Sequence, residues 1–184
     1  MVSAYGATRL PPWEVDFNWQ RRFIPELKRI CGEHLIGEAP YEEDAERNTD
    51  LVVLKLDPVR VACRVRRYKY YQKYPDEFTI RSNRPNGNKT ELAKIIEGWG
   101  DYILYGFCDE EEVQLISWVL GDLTVFRLWF TSYLAKHQGR TPGIEKPNHD
   151  NSSSFRVFSI NDLPKSFVTA RLTEETPMQM ELSL

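Results

Sequence analysis

The spacing of apolar residues divides the chain into stretches of helical period and stretches of alternation. Between Phe17 and Ile36 the apolar positions Phe23, Leu27, Ile30, Cys31 and Leu35 recur at helical spacing and Gly37 supplies a stop, so the pattern predicts a helix. Pro25 moves its expected start to about Ile24, because proline is tolerated in a first turn and breaks an interior. Leu51 to Leu56 is short, apolar and rich in β-branched valine, as a strand should be. Val59 to Tyr71 alternates, with Val61, Cys63 and Val65 on one face and Arg60, Ala62, Arg64 and Arg66 on the other, which predicts a half-buried strand. Phe78 to Ser82 reads as the next strand, and Thr90 as the N-cap of a helix from Glu91 to Trp99. Asp101 to Phe107 and Val113 to Leu120 flank an acidic turn, the pattern of a hairpin. Asp122 caps a helix whose Val125, Phe126, Trp129, Phe130, Tyr133 and Leu134 form a wide core stripe, and Gly139 ends it. Residues 140–154, rich in Pro, Asn and Ser, read as a linker or flap before a last strand from Phe155 to Ile160.

This order, αβββαβ followed by an extra strand, helix and strand, predicts an α/β (α+β) fold with a mixed central sheet and flanking helices. Residues 1–16 are expected to be an irregular arm, 17–170 one domain, and 171–184 a polar, mobile tail. A length of 184 residues suits one core, and 41% hydrophobic content excludes a disordered chain. The first residues lack a basic, apolar leader, and nowhere does an apolar run approach about 18 residues. The expectation is therefore a cytoplasmic protein, neither secreted nor membrane-spanning. Cys31, Cys63 and Cys108 are odd in number, far apart and set in apolar segments, the pattern of buried thiols rather than disulfides or a zinc site.

Charge changes the picture. The formal net charge of −3 conceals sums of −4 over residues 1–58, +7 over 59–94 and −6 over 95–184. A basic block within an acidic protein is either a patch for a polyanion or a solvated face neutralised by the acidic ends. Two observations favour the patch. Arg81, Arg84 and Lys89 gather around one turn, and Tyr68, Tyr70, Tyr71 and Tyr74 interleave with Arg67, Lys69 and Lys73. Cations hold a nucleic-acid backbone and flat rings stack on its bases. No Gly-x-Gly-x-x-Gly, P-loop or Gly-x-Ser-x-Gly is present, which removes the easily recognised nucleotide and hydrolase sites. His34, His137 and His149 are scattered, two of them near helix ends where an imidazolium favours the dipole.

The order of elements, with Asn48-Thr49-Asp50-Leu51-Val52-Val53 followed by Val61-Ala62-Cys63-Arg64-Val65-Arg66-Arg67, resembles the restriction-endonuclease-like superfamily over roughly residues 20–107. Its signature, PD-(D/E)XK, places an Asp at the start of one strand and Glu-x-Lys in the next. The resemblance implies that Asp50 holds a divalent metal, Mg2+ or Mn2+, that activates water for phosphodiester cleavage. Here Arg64 stands in the place of the Glu and Arg66 in that of the Lys. An arginine keeps its proton and repels a metal. Two readings stay open. Either the centre is altered and inactive, Arg64, Arg66, Arg67, Lys69, Arg81, Arg84 and Lys89 hold phosphates and Asp50 is a remnant acid, or a migrated carboxylate, Glu46 or else Glu26 or Glu33, completes an active site with Asp50. By analogy such small proteins belong to phages or mobile elements. A third reading makes the basic face a dock for an acidic protein partner, and a homodimer remains open.

Overall fold

A computed structural model describes residues 12–35, 59–85, 87–150 and 152–173. The expected strand 51–56, the stop at Gly37 and the two candidate metal ligands Glu46 and Asp50 lie outside the described residues. In chain order the elements are α1 (Pro12–Gln20), a 3-10 turn (Arg21–Phe23), α2 (Ile24–Leu35), β1 (Val61–Arg66), α3 (Tyr68–Tyr71), β2 (Glu77–Asn83), α4 (Glu91–Ile96), β3 (Tyr102–Cys108), β4 (Leu115–Asp122), α5 (Leu123–Lys136), β5 (Ile144–Pro147), β6 (Ser154–Ser159) and β7 (Val168–Leu172).

The class is α+β, as expected, but the strands form two sheets instead of one central sheet. The first has the order β1-β3-β4-β7, with β1 and β3 parallel and the other pairs antiparallel. The second is antiparallel with the order β2-β6-β5. Phe78 and Ile80 of β2 point into the same core as Ile103, Tyr105 and Phe107 of β3, so β2 lies over the first sheet rather than beside β1. Its partner, β6, is distant in sequence, and local periodicity does not specify a non-local partner.

Two apolar layers result. Between the sheets, Phe78, Phe126, Phe158 and Phe167 pack ring on ring, with Phe78 and Phe167 stacked at 5.6 Å between centroids. A Cβ at Gly121 would come within 2.2 Å of the Phe167 ring, so any larger residue would force that ring to shift. On the opposite face of the first sheet, Val65, Leu104, Trp118 and Leu120 meet Phe23, Leu27 and Ile30 of the N-terminal helices. The alternation expected for β1 holds: Val61, Cys63 and Val65 face the helices and Ala62 faces the inter-sheet core.

Four expectations are corrected. The strand expected to run to Tyr71 stops at Arg66, and Tyr68–Tyr71 form one helical turn. In a strand Tyr70 and Tyr71 would face opposite ways, whereas the turn lets both pack on the inter-sheet core. Residues 140–154 contain β5, whose side chains are all exposed; an edge strand with Pro147 at its end carries no apolar alternation to find. Helix α1 begins at Pro12, inside the stretch expected to be irregular, with proline in the first turn. β7 runs into the expected tail, pairing Arg171 with Val119 and Leu172 with Trp118. Both expected N-caps are present. Thr90 accepts from Ala93 N, and Asp122 from Thr124 N and Val125 N.

Candidate functional site

A cleft of about 420 Å³ opens where β1, the end of β2 and α4 come together. Strand β1 brings Arg64 to it on the face that also carries Ala62, and Arg60 comes from the residue just before the strand. Arg81 comes from β2, Arg84 and Lys89 from the turn that follows, Glu91 and Lys94 from α4, and Trp99 from the segment after α4. Among the described residues six cations thus line the cleft against one carboxylate, Glu91.

Glu91 organises the floor. Its Oε2 accepts from Arg64 Nη2 at 3.2 Å and from the Arg81 backbone N–H at 3.3 Å. Arg64 Nη1 also donates to the Thr79 carbonyl at 3.3 Å, and the Thr79 hydroxyl in turn bonds Tyr105. Arg64 is therefore fixed in place by a shell of acceptors and leaves part of its guanidinium facing the opening. Lys89 pairs with Glu97 at 2.5 Å. Among the described residues no carboxylate lies within ion-pairing distance of Arg60, Arg81, Arg84 or Lys94. Burial pushes the pKa of Arg81 down, Arg84 and then Arg64 push it further, and Glu91 opposes them. Like charges held together without counter-charge favour an anionic ligand.

The backbone around Arg60 is set by Asp101, whose carboxylate accepts from Arg60 N at 2.7 Å while Asp101 N donates to the Arg60 carbonyl at 2.8 Å. Helix α4 ends in a Schellman turn: Gly98, at φ 98°, donates to the Ile95 carbonyl and Trp99 donates to the Lys94 carbonyl, each at 3.0 Å. That turn sets Trp99 with Lys94 in the lining, and Trp99 is 64% exposed.

Of the residues expected from sequence to hold phosphates, Arg64, Arg81, Arg84 and Lys89 converge on the cleft. Arg66 and Lys69 instead reach the ring of Tyr70, at 4.1 and 5.2 Å from its centroid. Arg67 turns to the opposite side of the sheet. There it pairs with Glu112 at 3.1 Å and Asp16 at 3.3 Å and covers the ring of Trp19 at 4.5 Å. Glu112 also accepts from Trp19 Nε1 at 2.5 Å and from Arg22 at 2.9 Å. The Trp19 hydrogen bond, with help from Arg22 and Arg67, holds the Glu112 carboxyl below its ordinary value. This clasp joins α1 to the turn between β3 and β4.

The alternative carboxylates from α2 are used elsewhere. Glu26 accepts from Leu115 N at 3.0 Å, with burial pushing its pKa up, and Glu33 pairs with Arg29 at 2.6 Å. Neither lines the cleft. Among the described residues no cluster of three His, Cys, Asp or Glu could hold a metal ion. Cys108 is buried, and Cys31 and Cys63 are partly so; burial lifts the Cys63 thiol to about 11 and pushes the other two up as well, which disfavours their thiolates. His137 ends α5, its Nδ1 against the Tyr133 carbonyl at 2.9 Å. No helix among the described residues is long and apolar enough to cross a membrane.

Sequence reasoning missed Arg60, Lys94, Glu91 and Trp99 as cleft residues. Arg60 shares the strand parity of Arg64, Lys94 lies three residues after Glu91 on one helix face, and Trp99 stands between two glycines, so each carried a signal. No family model, curated protein or solved structure matches the chain.

Proposed function

We propose that the protein binds nucleic acid through this cleft, on a scaffold related to the restriction endonucleases whose metal centre has been altered. The observation that carries the reading is the imbalance of the lining among the described residues: six cations, four of them without a carboxylate partner, around one acid that is itself bonded to Arg64. Phosphate oxygens supply the missing anions, and the planar fork of arginine matches them in pairs. Arg64 occupies the position where the family signature has its metal-binding Glu. A guanidinium there exchanges a cation-binding pocket for an anion-binding one, and Arg81 and Arg84 extend it.

Binding of labelled oligonucleotides at low ionic strength tests the reading. Measurable affinity that falls when Arg81 and Arg84 are both replaced by Ala supports it. Absence of binding, with capture of an acidic protein by the same face, would favour the protein-docking alternative. The presence of Glu91 in the cleft keeps a second reading, an active metal-dependent nuclease, worth one experiment. Plasmid incubated with Mg2+ or Mn2+ would be nicked by the protein and spared by the Asp50→Ala and Glu91→Gln variants.

A further inference from the structure

We infer that the strand held in this cleft is unpaired, with a base stacked on Trp99 and the adjoining phosphates on Arg64, Arg81 and Arg84; the inference rests on the nucleic-acid reading above and specifies its ligand. Trp99 is the reason. A tryptophan normally covers much of its surface, yet this one is 64% exposed in the lining of a strongly cationic hollow. Its exposure is built by the backbone on both sides. Gly98 at φ 98° and Gly100 at φ 80° take conformations that other residues adopt only with strain. A Cβ at Gly100 would come within 3.1 Å of Leu123 Cδ1, so the chain here lies close against α5. Arg127 of α5 donates to the Gly100 carbonyl at 3.0 Å and reaches the Ile95 carbonyl at 3.5 Å. The ring is thus carried on a braced loop and left largely uncovered, which is what a stacking platform requires.

The shape of the hollow agrees. Its volume of about 420 Å³ suits a small ligand or one nucleotide and not the flank of a double helix. In a duplex each base face is already covered by its neighbours, so an aromatic side chain reaches a base only where the strand is open or the base is turned out. Cations and an aromatic ring in one lining match a single strand, whose phosphate and base are both accessible at once.

The test compares fluorescence anisotropy of labelled single-stranded DNA and RNA with that of the duplex of the same sequence, for the wild type, Trp99→Ala, Trp99→Phe and Arg84→Ala. Trp99→Ala should weaken single-strand binding about 5- to 150-fold, the range for loss of one base–aromatic stack, and leave duplex binding unchanged. Trp99→Phe should retain most of the affinity. Circular dichroism melting of Trp99→Ala should match the wild type, since the ring is exposed. The inference is overturned if the duplex binds as tightly as the single strands, or if Trp99→Ala binds like the wild type while Arg84→Ala is weakened; in both cases the nucleic-acid reading survives. No binding of any oligonucleotide would overturn both.

Discussion

Arg64, in strand β1, and Arg67, just past its end, belong to two sets of arginines that meet opposite fates. Arg64 faces a hollow that, among the described residues, has six cations and one carboxylate. Arg67, three residues on, is held with Arg22 by Glu112 and Asp16 and lies over Trp19. The second set has its counter-charges within the molecule and its energy is spent joining α1 to the sheet. The first set keeps its charge available. A cation's sequence position therefore says little about its role; its partners say more. The excess of positive charge counted over residues 59–94 is divided among a structural clasp, the ring of Tyr70 and an open cleft.

If the sets differ in this way, disturbing one should leave the property of the other intact. Reversing the cleft, with Arg81→Glu and Arg84→Glu together, should lower oligonucleotide affinity by about 100-fold or more, because charge-assisted contacts are lost and repulsion replaces them. The melting temperature should change little, since neither guanidinium has an ion-pair partner to lose among the described residues. Disturbing the clasp with Glu112→Gln should do the reverse. It should cost about 1 kcal/mol of stability, discounted from the strength of charged hydrogen bonds because the group is partly exposed, with oligonucleotide affinity unchanged. Denaturant midpoints and anisotropy on the same preparations check both. A smaller effect of opposite sign is expected for Glu91→Gln, which keeps an acceptor for Arg64 and removes the one negative charge in the cleft. Affinity should rise about 2- to 5-fold.

The smallest effect concerns pH. The folded-state pKa of Glu112 lies below its ordinary 4.5, so its contribution to stability is complete above 4.5 and is lost as pH falls through the lower folded value. The stability difference between wild type and Glu112→Gln should then shrink when denaturation is repeated below pH 4.5. An undiminished difference would show that the clasp does not depend on the carboxylate charge.

Much of the local architecture was legible in the sequence. The N-caps Thr90 and Asp122, the first turn containing Pro25 and the two faces of β1 follow from side-chain chemistry and period alone. What escaped was set by distant contacts. β2 pairs with β6 across a long stretch of chain, and the fully exposed β5 has no apolar pattern. The Tyr68–Tyr71 turn replaces a strand because both Tyr70 and Tyr71 find the same core. The site was legible in part for the same reason. Arg81, Arg84 and Lys89 cluster locally and reach the cleft, whereas Arg67 is diverted by Glu112, which lies 45 residues away along the chain. Glu91 was visible as the first residue of a helix, but only the packing of α4 beside β1 brings it to Arg64.

The most direct measurement is the affinity of a mixed-sequence single strand across a series of salt concentrations. Two or three phosphates held by Arg64, Arg81 and Arg84 should give a slope of log K against log salt of about −1.4 to −2.1, and Arg84→Ala should make it shallower by about 0.7. A slope near zero, or a slope unaltered by that substitution, would contradict a cleft built to hold phosphates.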